Sequence, residues 1–343
     1  MTSTPVGGVG RSPGEPVRPL SALALSPAII VVLSAGLALR LLVAYVLFPG
    51  AGFESDLASY ASWAHSMAEH GPWGFYDNAG FADYPPAYLY VLWLVGSLSS
   101  AALGAADLIK LPPMLLDVAV AYVIFRLVRG WTWPGPRCEA QALAAAALYL
   151  FNPVSFYDSA LWGQTDAAGA LVVLLGLAAL IRGNSEGAAA MATMAALVKP
   201  QFGVVLIHIV AAVLLKRHLL RRGSGPRHEA WAPAGLARWL ESHQGPVRLL
   251  TSSLLALGTF YLVVLPFGFG LDHEPAADPL LISIADAFGS LPEAVSVWPL
   301  AVLEYLERMF GTAGGYGYLT VNAFNAWALV GVDGGPSLAE APV

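Results

Sequence analysis

Residues 24–48 read ALSPAIIVVLSAGLALRLLVAYVLF, with Arg40 as their one charged side chain. A helix needs about 20 mainly apolar residues to cross the hydrocarbon core of a bilayer, so this stretch is long enough to span a membrane. It is too long for the apolar core of a signal peptide and has no convincing cleavage site. We therefore expect a first transmembrane helix that the mature chain retains.

The same kind of stretch recurs along the chain, at roughly 110–128, 140–157, 166–182, 187–199, 200–216 and 248–267. Overall, 57% of the residues are apolar and 12% are charged, whereas soluble proteins carry about 25% charged residues. This composition excludes a disordered protein, a basic nucleic-acid binder and an ordinary soluble enzyme. Continuous apolar blocks also disfavour an outer-membrane barrel, so the prediction is an all-α, polytopic transmembrane helical bundle.

The distribution of basic residues predicts how the chain lies in the membrane. No Lys or Arg occurs between Arg40 and Lys110, whereas five acidic residues lie within 49–85. By the positive-inside rule this region is extracytoplasmic. Residues 86–104 are apolar, but most of the 17 basic residues become cytoplasmic only if this segment stays at the outer surface as a juxtamembrane or re-entrant helix. We predict an integral plasma (cytoplasmic) membrane protein with a cytoplasmic N-terminus.

The predicted organisation follows from these spans. Residues 1–22 form a disordered cytoplasmic tail, 23–333 a membrane domain and 334–343 a C-terminal tail. Within the membrane domain, 49–107 is a first extracytoplasmic loop with juxtamembrane helices, 217–247 is a basic cytoplasmic loop and 268–320 is an acidic extracytoplasmic loop. The single cysteine, Cys138, excludes an internal disulfide and a CxxC site.

Asp56 opens a predicted helix in the first outer loop. Helical spacing places Asp56, Tyr60, Trp63 and Met67 on one stripe, with Ser55 as the predicted N-cap. Two interpretations of Asp56 remain open from the pattern alone. It is either an exposed charge favoured by the helix dipole or a general base whose partial burial raises its pKa.

Other polar residues are expected at the same face of the membrane. Lys110 and Lys199 stand at the outer ends of spans, where they either snorkel or bind an anion such as a lipid phosphate. Arg40 and Asp117 lie within spans and could pair with each other, either as a structural clamp between helices or as functional charges within the membrane. The remaining polar positions of interest are Asp83 and Tyr84 before Pro85-Pro86, the loop Trp162-Gly163-Gln164-Thr165-Asp166, Gln201, Arg308 and Asn322.

This ordered set of residues resembles the polytopic GT-C glycosyltransferases, and in particular mannosyltransferase-like membrane proteins of bacteria and archaea. The resemblance runs from about residue 30 to residue 330. It is carried by Phe53-Glu54-Ser55-Asp56, Tyr84-Pro85-Pro86, Lys110-Leu111-Pro112 with Asp117, Asn152-Pro153, Trp162-Gly163-Gln164-Thr165-Asp166, Lys199-Pro200-Gln201 and Val321-Asn322-Ala323-Phe324-Asn325. It implies a GT-C-like fold and an inverting hexosyl or mannosyl transfer in the synthesis of cell-envelope glycan.

The resemblance also implies roles for individual residues. Asp56 would be the catalytic base, while the donor phosphate would be bound by Lys110, Lys199 and Arg308. The substrate-binding residues would be Asp83, Tyr84, Trp162, Gln164, Asp166, Gln201 and Asn322. The implied partners are a polyprenyl-phosphate-linked sugar donor, a glycan, lipid or protein acceptor and the lipid bilayer. No nucleic acid and no cofactor are expected, and a divalent metal is possible but is not supported by spacing, because no HxxH or DxD pair occurs with clear metal spacing.

Two alternatives to the transferase stay open at this point. The first is a transporter or flippase of lipid-linked sugars, which would use the same phosphate-binding lysines. The second is an inactive, truncated family member, because the related proteins continue beyond the motif at 322–327, whereas this chain ends at Val343.

Overall fold

The computed structural model describes residues 26–80, 82–99, 104–131, 136–220, 245–271 and 292–314. All regular secondary structure in these ranges is helical, which confirms the predicted all-α class. The tails at 1–22 and 334–343 and much of the loops predicted at 217–247 and 268–320 lie outside the described residues.

We number the helices in chain order. They are α1 (Pro27–Leu41, continued by a π-helical turn, Leu42–Leu47), α2 (Glu54–His70), α3 (Phe75–Asn78), α4 (Pro86–Leu98), α5 (Ala105–Leu108), α6 (Leu111–Trp131), α7 (Pro136–Leu150), α8 (Pro153–Phe156, continued by a π-helical turn, Tyr157–Trp162), α9 (Asp166–Ile181), α10 (Ser185–Val198), α11 (Pro200–Leu215, continued by Lys216–Leu220), α12 (Pro246–Val264, followed by a 3₁₀ turn, Leu265–Phe267) and α13 (Glu293–Gly314).

Four of these helices are long and apolar enough to cross a membrane, at Pro27–Leu47, Leu111–Gly130, Pro200–Leu220 and Pro246–Phe267. Helices α4, α9 and α10 are apolar but shorter. Each of the seven predicted spans is occupied by helix, and the chain is therefore a multi-pass integral membrane protein.

The prediction of one uninterrupted helix over 140–157 is wrong. Helix α7 ends at Leu150, and the Asn152 side chain accepts a hydrogen bond from the Val154 backbone N–H at 2.9 Å. Pro153 then takes the first position of α8, which suits a residue without an N–H. The Asn-Pro pair therefore starts a new helix instead of extending the old one.

Proline also separates α10 from α11. A residue before proline is pushed out of the helical region, and Lys199 accordingly has φ −154° and ψ 133°. Pro200 then starts α11. This break leaves Lys199 alone between two helices that pack against each other.

Small residues allow neighbouring helices to approach closely. Helix α9 packs on α10, α10 on α11, α6 on α7 and α9, and α2 on α4. In the α2–α4 pair, a Cβ atom added to Gly96 would lie only 2.0 Å from the Ala64 carbonyl oxygen. Contacts of this kind are common in membrane helices, where the hydrophobic effect does not drive association.

Two buried ion pairs connect the helices. Arg40 of α1 donates to Asp117 of α6 at 2.8 Å, and both side chains are almost fully buried, which confirms the predicted pair. The Tyr149 hydroxyl also donates to Asp117, at 2.6 Å. In a pair that the sequence analysis did not predict, Arg248 of α12 donates twice to Glu186 of α10, each time at 2.6 Å.

The chain divides into two compact units, residues 1–263 and 264–343. The second unit contains α13 and the turn at 265–271. Within it, the Gly270 N–H donates to the Glu304 carboxylate at 2.7 Å, and the rings of Phe269 and Tyr305 pack edge to face with 6.1 Å between their centroids.

Candidate functional site

Seven polar or aromatic side chains of the first unit meet in one hydrogen-bonded group, which we call the polar cluster. Its members are Asp56, Tyr60, Tyr84, Trp162, Gln164, Asp166 and Lys199. They come from the first half of α2, the segment before α4, the stretch from Trp162 to the first residue of α9, and the break between α10 and α11. Four separate regions of sequence thus contribute to a single site.

Asp56 accepts two hydrogen bonds on the same carboxylate oxygen, Oδ2. One comes from the indole Nε1 of Trp162 at 3.1 Å, and the other comes from the side-chain amide of Gln164. Burial raises the pKa of the Asp56 carboxyl, as does the charge of Asp83, whereas Lys199 and the two hydrogen bonds lower it. The net pKa is above the ordinary aspartate value.

Gln164 connects the acidic and basic sides of the cluster. Its amide nitrogen donates to Asp56, and its Oε1 accepts from Lys199 Nζ at 3.0 Å. The hydroxyls of Tyr60 and Tyr84 lie 2.7 Å apart, and each is 3.3 Å from the same Oε1. Because each phenol has one proton, one tyrosine donates to the other and the second donates to Gln164.

Lys199 is the cation of the cluster. Its side chain is 12% exposed, and its ammonium donates to Asp166 at 2.5 Å while lying 5.3 Å from the centroid of the Tyr84 ring. Burial lowers the pKa of Lys199, but Tyr84 and Asp166 raise it by more, so the pKa lies above the ordinary lysine value. Lys199 is therefore charged at neutral pH.

Aromatic rings form one wall of the cluster. Tyr84 packs against Tyr60 and Trp63 with centroid separations of 5.5 Å, while Trp162 packs against Phe53 at 5.3 Å. The Tyr76 hydroxyl donates to the Tyr84 backbone carbonyl at 2.8 Å. Such contacts hold the rings in fixed orientations.

Gly163 allows the loop to bring Trp162 and Gln164 to the same carboxylate. Its φ of +87° is one that side chains rarely tolerate, and a Cβ atom there would lie 2.6 Å from Leu57 Cδ2. The N–H groups of Gly163 and Gln164 both donate to the Asp158 carbonyl, at 2.9 and 3.0 Å. The positive φ therefore favours glycine here, and a Cβ atom would in addition make the Leu57 side chain shift.

Asp158 lies in the π-helical turn that leads into this loop. Burial raises the pKa of its carboxyl to about 7, helped by the charge of Asp166 and opposed by that of Lys199. The carboxyl is thus close to half protonated at neutral pH.

The structure does not bring all of the predicted site residues into the cluster. Lys110 is buried and donates to the Ala51 carbonyl, and burial lowers its pKa. Asp83 is half-buried and acts on Asp56 through its charge, while Gln201 is exposed in the first turn of α11. Arg308 belongs to α13 in the second unit, and Asn322 lies outside the described residues.

Two predictions for α2 have different outcomes. Tyr60, Trp63 and Met67 are all buried on one side of the helix, which confirms the stripe. Ser55 is not the N-cap, because Phe53 takes the extended conformation that precedes the helix and Glu54 is already its first residue.

Tyr60, Asp158 and Thr165 also contribute to this site but were not among the predicted site residues. The Thr165 hydroxyl is 3.4 Å from that of Tyr84. Tyr60 carried a usable signal, since it lies one helical turn after Asp56 and so shares its face. Thr165 adjoins predicted residues in sequence, but no spacing rule shows that its hydroxyl reaches Tyr84.

Among the described residues, no group of three or more His, Cys, Asp or Glu side chains is arranged to hold a metal ion. The polar cluster instead combines two carboxylates, which accept hydrogen bonds, with an amide, two phenols, an indole and an ammonium. This combination suits sugar hydroxyls and a phosphate.

The fold and the site together define a multi-pass helical membrane protein with a polar cluster at the ends of its helices. Residues 62–267 match the family described as GPI transamidase subunit PIG-U. The match covers more than half of the chain, which belongs to this family. No curated protein and no solved structure matches it.

The family corrects the predicted activity. The chain was expected to be a glycosyltransferase of the hexosyl- or mannosyltransferase type, and this expectation is wrong because the family is one of GPI transamidase subunits. The error has a chemical origin. Carboxylate, amide, aromatic and lysine side chains carried the resemblance, and such groups serve binding sites as well as transferases.

Proposed function

We propose that this chain is the binding subunit of a membrane protein complex and that its polar cluster holds the head group of a phosphate-linked glycolipid. In this proposal the architecture is GT-C-like, but the chain contributes recognition instead of sugar transfer. The observation that carries the proposal is the bridge from Asp56 through Gln164 to Lys199. It places an acceptor for sugar hydroxyls and a cation for phosphate beside each other.

Lys199 is our candidate for the phosphate contact. It is charged, held between two helices and mostly buried, and its partner Asp166 is more exposed, with 46% of its side chain accessible. A phosphate that approaches from the exposed side would replace Asp166 as the partner of the ammonium. We assign Lys110 to positioning, because its ammonium is bound to the Ala51 carbonyl.

The sugar contacts would come from the opposite side of the cluster. Asp56 is half-buried and Trp162 presents an indole next to it. A carboxylate accepts hydrogen bonds from hydroxyl groups, and an aromatic ring packs against the apolar face of a sugar. The Tyr84 ring supplies a second aromatic surface beside Lys199.

The family supports the proposed role as a subunit of a membrane protein complex. It is described as a subunit of GPI transamidase, and GPI is a phosphate-containing glycolipid. A subunit that binds a lipid of this chemistry in the bilayer and presents it to another chain would fit both the family and the cluster.

Ligand binding to the full chain in detergent tests the proposal, with polyprenyl-phosphate mannose and GPI as separate probes and native mass spectrometry as the measurement. We expect Lys199→Met and Asp56→Asn to weaken binding by roughly 10- to 100-fold, the usual loss for a hydrogen bond to a charged group. Glu54→Gln and Lys216→Met are the matched controls, since both residues are exposed and neither belongs to the cluster.

Each result bears on a separate part of the proposal. Unchanged binding in the Lys199 and Asp56 variants would remove the polar cluster from recognition, as would an equal loss in the two controls. Transport of the probe between leaflets of proteoliposomes by the purified chain would instead identify a transporter. A chain that migrates as a single species of its own mass in gently solubilised native membranes would contradict the subunit role.

A further inference from the structure

A second site lies away from the polar cluster. A cavity of about 220 Å³ opens between α6 and the end of α9. It is lined by Val123, Leu127, Leu175 and Ala178, together with Arg126 and Arg182. Its wall is thus mostly apolar, and Arg126 and Arg182 are the two charged residues that line it.

The cavity stands at the helix ends opposite to the polar cluster. Helix α6 begins beside Lys110 and α9 begins at Asp166, both at the cluster end of the first unit. With a rise of about 1.5 Å per residue, Arg126 lies roughly 22 Å along α6 and Arg182 roughly 24 Å along α9. In a hydrocarbon core about 30 Å thick, the two arginine backbones lie roughly 6–8 Å short of the opposite head groups, a gap that a long arginine side chain can cover by snorkelling.

The contacts of Arg126 hold its guanidinium beside the cavity. Its Nη1 donates to the Tyr122 hydroxyl at 2.9 Å, and its central carbon lies 5.8 Å from the centroid of the same ring. Tyr122 is itself part of the cavity wall. Such a fixed guanidinium can present a pair of parallel N–H groups to an oxyanion, because its geometry matches that of a phosphate.

We propose that this cavity binds one anionic phospholipid of the bilayer, with its phosphate between Arg126 and Arg182 and the beginning of an acyl chain against the apolar wall. Basic pockets between transmembrane helices recognise anionic lipids in this way. Free phosphate fits less well, because it would leave the apolar wall exposed to water. The volume accommodates a head-group phosphate and the first methylene groups, while the rest of the lipid stays in the membrane.

Retention of lipid by the full chain tests this inference. The protein is purified from nanodiscs that contain equal amounts of phosphatidylglycerol and phosphatidylcholine, and the bound lipid is measured by native mass spectrometry. We expect the wild type to retain phosphatidylglycerol with a preference of roughly 30-fold, the gain that two interfacial arginines supply. The Arg126→Gln/Arg182→Gln double variant should lose this preference.

The control removes the same charge from the same region. Arg129 and Arg137 are exposed, on the last turn of α6 and the first turn of α7, and Arg129→Gln/Arg137→Gln should retain the lipid like the wild type. Val123→Phe fills the cavity while both arginines stay, so it should also release the lipid. A melting temperature within a few degrees of the wild type shows that each variant is folded.

Three results would overturn the inference. An equal loss in the control variant would mean that diffuse surface charge attracts the lipid. No preference for phosphatidylglycerol in the wild type would remove the anionic ligand. Displacement of the lipid by millimolar inorganic phosphate would identify a site for the free ion. All three are independent of glycolipid binding at the polar cluster, which the Lys199 and Asp56 variants test.

Discussion

At the scale of single residues, Asp158 is the group of the site that titrates near neutral pH. Asp158 is half-buried, and the pKa of its carboxyl is about 7 in the folded protein against 3.8 for an ordinary aspartate. The folded state therefore holds a proton that the unfolded state releases. The protonated Asp158 carboxyl therefore contributes fully to the free energy of unfolding below about pH 4, and this contribution is lost as the pH rises towards and through 7.

We predict that Asp158→Asn changes this dependence on pH. An amide needs no proton to stay neutral, so the variant should gain melting temperature relative to the wild type at pH 8 and should gain less at pH 5. Thermal unfolding in detergent at the two pH values measures the difference. If the wild type and the variant differ by the same amount at both values, the Asp158 carboxyl does not titrate in this range.

Individual residues also show how far sequence alone reaches into the site. Asp56, Gln164 and Lys199 were each predicted from local arguments, namely an acid at a helix start, a polar loop between spans and a lysine on the outer side. Nothing in their spacing indicates that one amide bridges the other two, since Asp56 and Gln164 are 108 residues apart. Contacts of such long range depend on how helices pack.

The Arg40–Asp117 pair was predictable for a different reason. A charge within a membrane span is costly unless it is paired, and the sequence offers few partners at that depth. The Glu186–Arg248 pair escaped prediction because Arg248 was counted only as a basic residue at a helix end. Its carboxylate partner is 62 residues away.

At the scale of helices and turns, the loop from Trp162 to Asp166 depends on one backbone conformation. We predict that Gly163→Ala destabilises the protein by about 1–3 kcal/mol, the cost of a non-glycine residue held at a strained positive φ. Its Cβ atom would also push against Leu57, which precedes the Tyr60 turn of α2. Both effects should weaken glycolipid binding at the cluster.

Gly258→Ala in α12 is the matched control for this change. A Cβ atom there meets nothing within 4 Å, and alanine is more favourable than glycine in the interior of a helix. The melting temperature and the affinity for polyprenyl-phosphate mannose should therefore stay the same or increase slightly. Equal destabilisation by both substitutions would mean that the conformation of the loop is not the cause.

Helix positions were more predictable than the ends of the helices. Within the described ranges, apolar runs indicated the four helices that are long enough to cross a membrane, because length and composition are decided locally. Proline placed the beginnings of α4 and α11. The π-helical turns after α1 and α8 were not predicted, because the extra residue in such a turn is accommodated by packing and leaves no periodic pattern.

At the scale of the whole molecule, the same composition fits a transferase and a binding subunit. Apolar spans with phosphate- and sugar-binding groups at their ends occur wherever a protein handles a glycosylated lipid. The predicted multi-pass membrane protein is therefore confirmed, whereas the predicted transferase activity is wrong. The family match at 62–267 supplied what the arrangement of residue types could not.

The direction of the chain in the membrane stays a prediction, and cysteine labelling in intact cells tests it. The background is Cys138→Ala, which removes the one native cysteine. Glu54→Cys marks the cluster end, and Arg137→Cys marks the opposite end; both positions are exposed. A membrane-impermeant maleimide should label Glu54→Cys directly and Arg137→Cys only after permeabilisation.

We expect this order of labelling because basic residues are distributed asymmetrically across the bilayer. Lys and Arg are retained on the cytoplasmic side, and Arg126, Arg129, Arg137 and Arg182 all lie at or beyond the ends of α6 and α9 that point away from the cluster. The cluster, with Asp56, should therefore face outwards. Labelling in the reverse order would place the polar cluster on the cytoplasmic side, where it would meet a different population of glycolipid head groups.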